Sequence, residues 1–138
     1  MQEHSYFKIS GLSMWPSCRP GDKLLIAKVS PQELKIGDII AYKSQGALIC
    51  HRLVMKTGRN GNIRMRARGD CSFSLGEIVD AKQFFGKATA ILRGDRIISL
   101  VGLRSQMINL LLAVISPLFL LRFKLNRRLK IPISEAKR

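Results

Sequence analysis

Over residues 1–100 the apolar positions come in short runs, with turn residues between them about every 8–12 positions, a spacing that predicts strands rather than helices. Tyr6–Ile9 is expected to be extended, and Arg19-Pro20-Gly21-Asp22 turns the chain into the apolar run Leu24–Ala27. Pro31 opens an irregular piece that closes at Gly37-Asp38, and Ile39–Tyr42 follows as a strand. Ser44-Gln45-Gly46 leads into Ala47–Met55, and Gly58–Gly61 leads into Ile63–Ala67. Strict alternation there puts Ile63, Met65 and Ala67 on one face and Arg64, Arg66 and Arg68 on the other. That pattern predicts a half-buried strand with a basic outer side. Phe84–Leu92 and Arg96–Leu100, joined at Gly94-Asp95, predict a final hairpin. The expected fold class is mainly β, a small coiled antiparallel sheet or barrel over residues 1–100.

From residue 101 the pattern changes. Met107–Leu121 is an apolar run of 15 residues, 19 when extended back to Leu103, interrupted by Asn109, Ser116 and Pro117. A membrane-spanning helix needs about 20 apolar residues. Arg122, Lys124, Arg127, Arg128 and Lys130 follow at once, as on the cytoplasmic flank of a membrane segment. Two expectations stand for residues 101–138: a membrane-associated helix with a basic tail, contacting lipid through residues 103–130, or an amphipathic helix that closes the core. The first places the protein at a membrane, with the plasma membrane preferred and the side of the domain left open. The N-terminal MQEHSYFKIS has neither an apolar core nor a cleavage pattern, so no signal peptide is expected.

Charge sharpens this division. The chain carries 24 Lys+Arg against 9 Asp+Glu in 138 residues, a net +15. Residues 101–138 hold 8 basic and 1 acidic of these, so positive charge is densest beside the apolar run. Such a balance asks for a polyanionic neighbour, an anionic membrane face or nucleic acid. Aromatic residues for base stacking are sparse around Arg59–Arg68, which disfavours nucleic acid. Cys18, Cys50 and Cys71 are too few and too scattered for a disulfide framework or a zinc site, so no metal and no cofactor are expected. Two of the cysteines within bonding range, or one or more of them as small buried apolar side chains, are both open readings.

Three features carry candidate chemistry. Gly11-Leu12-Ser13-Met14-Trp15-Pro16 follows the first strand, and Pro16 stops a helix from starting there, which leaves a serine hydroxyl projecting. A serine hydroxyl is a weak nucleophile without a base in hydrogen-bond reach. His51-Arg52, in the middle of an apolar strand, offers that base. Alternation expects His51 on one face with Ala47, Ile49, Leu53 and Met55. Arg68-Gly69-Asp70 adds an acid at a strand end.

In this order the blocks resemble the signal peptidase I superfamily, over residues 6–93. The resemblance rests on Ser13-Met14-x-Pro16, Arg19-Pro20-Gly21-Asp22, Gly37-Asp38-Ile39-Ile40, His51-Arg52, Gly69-Asp70 and Gly86-Lys87-Ala88. The histidine is similar to the endoplasmic reticulum, archaeal and sporulation-type branch. The common bacterial enzymes and the self-cleaving repressors use Ser-Lys. The resemblance implies a mostly antiparallel β fold. It also implies a serine endopeptidase that cuts after small side chains, next to an apolar segment of a membrane-inserted precursor protein or peptide.

Carried over, Ser13 is the nucleophile, His51 the general base, and the Ser13 backbone N–H an oxyanion donor. Asp70 is the candidate acid, orienting or structural, and Glu77 is the alternative partner of the histidine, because the family's second acidic position is Gly76 here. Gly11 stands where the family often has a serine that assists the oxyanion hole, and Leu12 where glycine is usual. Met14 and Trp15 are the candidate substrate-binding residues, with Trp15 alternatively an interface anchor. The competing readings are a non-catalytic basic β module binding nucleic acid or an anionic membrane surface, and a cytosolic relative of the self-cleaving repressors.

Overall fold

The computed structural model describes residues 4–59, 62–102 and 107–115. Its strands are β1 (His4–Lys8), β2 (Lys23–Ala27), β3 (Ile39–Ser44), β4 (Ala47–Thr57), β5 (Arg64–Arg68), β6 (Glu77–Asp80), β7 (Phe84–Arg93) and β8 (Arg96–Ser99). All pair antiparallel in one sheet, in the order β1-β2-β7-β3-β4-β5-β6. β7 is long enough to serve three neighbours. Its Lys87–Leu92 stretch lies along β2, its first residues pair with β3, and its last four pair with β8.

β3 explains why the core lies where it does. Ile39 and Ala41 point into one apolar cluster with Ile9, Met14, Cys18, Leu24 and Cys50. Ile40 and Tyr42 point into a second with Leu53, Met65, Ala67 and Val79. A strand covered on both faces reads as an unbroken apolar run, as Ile39–Tyr42 does. The mainly β expectation therefore holds as an eight-stranded antiparallel sheet among the described residues.

Two face assignments change. Arg68 is buried rather than outward: it lies opposite Arg52 in the β4–β5 ladder and its Nη2 reaches the Ala113 carbonyl at 3.5 Å. Burial lowers the pKa of its guanidinium, and nearby Asp70 opposes that shift. The basic outer side shrinks to exposed Arg64 and half-buried Arg66. Met55 is exposed rather than facing inward with Leu53, because the β4–β5 register shifts between them. β6 is a strand the turn pattern did not predict.

Residues 107–115 are helical. Asn109 and Ala113, one turn apart, face the sheet and are buried, while Met107, Ile108, Leu111 and Val114 are exposed. A side chain at Gly37 would strike the backbone of Asn109 and Leu110 at 2.8 Å, so a glycine is what lets the helix dock there. No helix among the described residues is long and apolar enough to cross a membrane. Residues 116–138, with the end of the apolar run and the basic tail, lie outside the described residues.

Candidate active site

Ser13 follows β1 in a tight turn held from two sides. Trp15 N–H bonds Leu12 O at 3.0 Å and Cys18 N–H bonds Met14 O at 2.8 Å, while Trp15-Pro16 is a cis peptide. From the turn after β5, Cys71 N–H donates to the Ser13 carbonyl at 2.9 Å. Gly69 on that turn lies so close that a Cβ would meet Ser13 O at 2.5 Å. The Gly69-Asp70 block thus has a steric meaning: its glycine lets two turns touch at the serine.

β4 supplies the histidine. Its register opposite Ile40 turns His51 towards the Tyr42 face of the sheet, while Cys50 and Arg52 point the other way. The His51 Nε2 lies 3.2 Å from Ser13 Oγ, with the exposed hydroxyl at the mouth of a cleft of about 290 Å³. Phe7, Ile9, Met14 and Leu48 form its apolar walls. A serine–imidazole pair at this distance can pass a proton in either direction. Burial pulls the pKa of the half-buried His51 below its ordinary value, against the opposing influence of Glu77 and Asp70. The shift favours the neutral imidazole, the form that can accept a proton.

Behind the histidine stands a tyrosine that the sequence pattern concealed inside an apolar strand. Tyr42 Oη is 2.9 Å from His51 Nδ1 and donates to Glu77 Oε2 at 3.0 Å. Ser44 Oγ donates to the other Glu77 oxygen at 2.5 Å. A buried tyrosine hydroxyl needs a polar partner, and that requirement was the available clue. Burial and the Glu77 carboxylate both raise the pKa of Tyr42, so the phenol keeps its proton.

Asp70 is occupied elsewhere. Its carboxylate takes both arms of the Arg52 fork at 2.6 Å each and the Ser17 hydroxyl at 2.5 Å. Arg52, almost fully buried, also donates to Gly37 O at 2.8 Å, Asn109 Oδ1 at 2.9 Å and Ser17 Oγ at 3.0 Å. Asp70 thus touches the site through the turn that holds Ser13 rather than through a hydrogen bond to the imidazole. Glu77 reaches His51 through Tyr42. Met14 is buried against the cleft, and Trp15, half-exposed, is not among the residues that line it.

The cysteines are all free. Cys18 and Cys50 share one core cluster, and burial above all pushes each thiol up to about 12, which keeps them protonated and unreactive. Cys71 is exposed beside Asp70. Among the described residues no group of three or more His, Cys, Asp or Glu side chains is placed to hold a metal ion. Compared with protein-family models and with curated proteins, the chain matches none.

Proposed function

We propose that the chain is a serine endopeptidase of the signal peptidase type, with a Ser-His reacting pair and the coiled sheet of that superfamily. The 3.2 Å approach of Ser13 Oγ to His51 Nε2 at an open, apolar-walled cleft carries the reading. His51 takes the hydroxyl proton as Ser13 Oγ attacks the scissile carbonyl, then hands it to the leaving amine. Water repeats the exchange and releases the acyl group from Ser13. The Ser13 N–H is the candidate donor to the developing oxyanion. The substrate is an extended precursor segment with small or apolar side chains, as the walls of Phe7, Ile9, Met14 and Leu48 suit.

Attachment to a membrane belongs to the same proposal. The exposed apolar face at Met107, Ile108, Leu111 and Val114, and the cations that follow in sequence, support binding to an anionic bilayer through residues 103–130. The plasma membrane is the proposed location. The nucleic-acid alternative loses support as Arg68 turns inward.

A fluorophosphonate probe on the full chain tests the chemistry without knowledge of the substrate. Wild type should be labelled at Ser13. Ser13→Ala should abolish labelling, and His51→Ala should slow it on the order of 10⁴-fold or more, with the double variant no worse than Ser13→Ala alone. A wild-type protein that resists the probe, or is labelled at another residue, would overturn the reading.

A further inference from the structure

We propose that Tyr42 is a positioning residue that fixes the tautomer of His51, as the middle member of a relay from Ser13 through His51 and Tyr42 to Glu77. The inference rests on the Ser-His reading above and adds the residue that sets which ring nitrogen is bare.

Proton bookkeeping leads to Tyr42. A phenol has one hydrogen and two lone pairs. Tyr42 gives its hydrogen to Glu77, whose carboxylate only accepts and already takes a second hydrogen from Ser44. Tyr42 Oη can therefore only accept from His51, across the 2.9 Å contact with Nδ1. The Nδ1 atom must carry the ring proton, which leaves Nε2 bare towards Ser13. The opposite tautomer would place a hydrogen on Nε2 and leave a bare Nδ1 lone pair facing a lone pair of the Tyr42 oxygen.

Position suits the task. Tyr42 is fully buried in β3, packed with Leu53, Met65 and Val79, so the oxygen is held by the core rather than by a mobile loop. When His51 gains a proton during the reaction, the Nδ1–H bond to Tyr42 is already made, and Glu77 lies one bond beyond to stabilise the cation. The polar and charged groups facing His51 are Ser13 from the turn after β1, Tyr42 from β3, Glu77 from β6 and Asp70 from the turn after β5.

Nitrogen-15 NMR of the His51 ring reads the tautomer directly and needs no turnover. In the full chain carrying Ser13→Ala, His51 should show a protonated Nδ1 with a downfield hydrogen-bonded proton, and a bare Nε2. Adding Tyr42→Phe should abolish that proton signal and yield a mixture of tautomers, with the thermal melt confirming a folded protein. Glu77→Gln, at the half-buried edge, offers Tyr42 a donor as well as an acceptor, so it should relax the tautomer preference, and it should lower the His51 pKa by removing a nearby negative charge. In the active chain Tyr42→Phe should slow fluorophosphonate labelling about 10²-fold, within the range a correctly protonated base supplies. An unchanged tautomer in folded Tyr42→Phe, or a His51 pKa indifferent to Glu77→Gln, would overturn the relay even where the serine chemistry stands. Failure of labelling in wild type with the NMR pattern intact would instead count against the peptidase reading alone.

Discussion

His51 and Arg52 are consecutive residues of β4, yet each organises a different polar cluster on a different face of the sheet. The His51 cluster is open: it starts at an exposed serine, runs through Tyr42 and ends on a half-buried carboxylate at β6. The Arg52 cluster is closed. Its guanidinium is almost fully buried and joins Asp70, Ser17, the Gly37 carbonyl and Asn109 of the 107–115 helix. One cluster keeps a hydroxyl free to react and the other leaves little unpaired. The difference follows from the two-residue period of a strand, which sends neighbours to opposite faces whatever their kinship in sequence.

Breaking the closed cluster should give the largest effect. Arg52→Leu leaves the Asp70 carboxylate buried without its ion pair, which costs about 3–5 kcal/mol and should appear as a fall in the urea midpoint. Asp70→Asn sharpens the point. It should lower the melting temperature while the folded fraction retains probe labelling. Loss of labelling in an Asp70→Asn protein that melts like wild type would move the acid to the reacting side and dissolve the comparison.

Asn109→Ala comes next. It removes a buried hydrogen bond to a charged group, worth about 1.5–3 kcal/mol, and should destabilise the protein by that amount in the same denaturation assay. Smaller again is a gain on the open side. A Cβ at Gly11 meets nothing within 4 Å, so Gly11→Ser fits without rearrangement. Its hydroxyl should supply a second oxyanion donor and speed the reaction on the order of 10-fold, below what a fully formed donor contributes. A Gly11→Ser protein no faster than wild type would mean that the backbone N–H suffices.

The pH dependence should separate the clusters least violently. Burial lowers the His51 pKa from 6.5, so the acid limb of the labelling rate should lie below that value. The sign also applies to stability. The unfolded chain binds a proton at His51 more readily than the folded one, so this residue's contribution is full above 6.5 and is lost as pH falls through the lower folded value. Asp22, paired with Arg93 outside both clusters, follows the acidic rule. Its hydrogen bonds from Arg93 hold the carboxyl below 3.8, and the stability it adds disappears only in stronger acid. A labelling profile with its limb above 6.5 would require a stronger anion at the imidazole than the geometry provides.

How much of this was legible beforehand differs between the two clusters. Apolar runs bounded by Gly and Pro located β2, β3, β4, β5 and the β7–β8 hairpin within a few residues. β6 escaped because Glu77–Asp80 is a four-residue piece with an acid at each end and only Val79 fully buried, too short for its alternation to register. The Ser13–His51 pairing was visible from their blocks, since a hydroxyl and an imidazole are specified by residue type. Tyr42 was hidden within an apolar run because only the register shows which way its hydroxyl points. Asn109 read as a flaw in an apolar helix, whereas it is the acceptor a buried arginine requires. Arg68 read as outward because alternation assigns faces without saying what lies on each. Partners distant in sequence are supplied by tertiary packing, and local periodicity contains no record of them.

Asn109 also gives the fold a clock. Arg52 and its acceptor are 57 residues apart, so a ribosome adding about 5–20 residues per second makes them about 3–11 s apart. Through that interval β4 carries a guanidinium with at least one acceptor still to be synthesised, Asp70 arriving well before Asn109. Chain made later thus completes a bond inside chain made earlier, and a nascent protein that ends before residue 109 leaves that bond unmade.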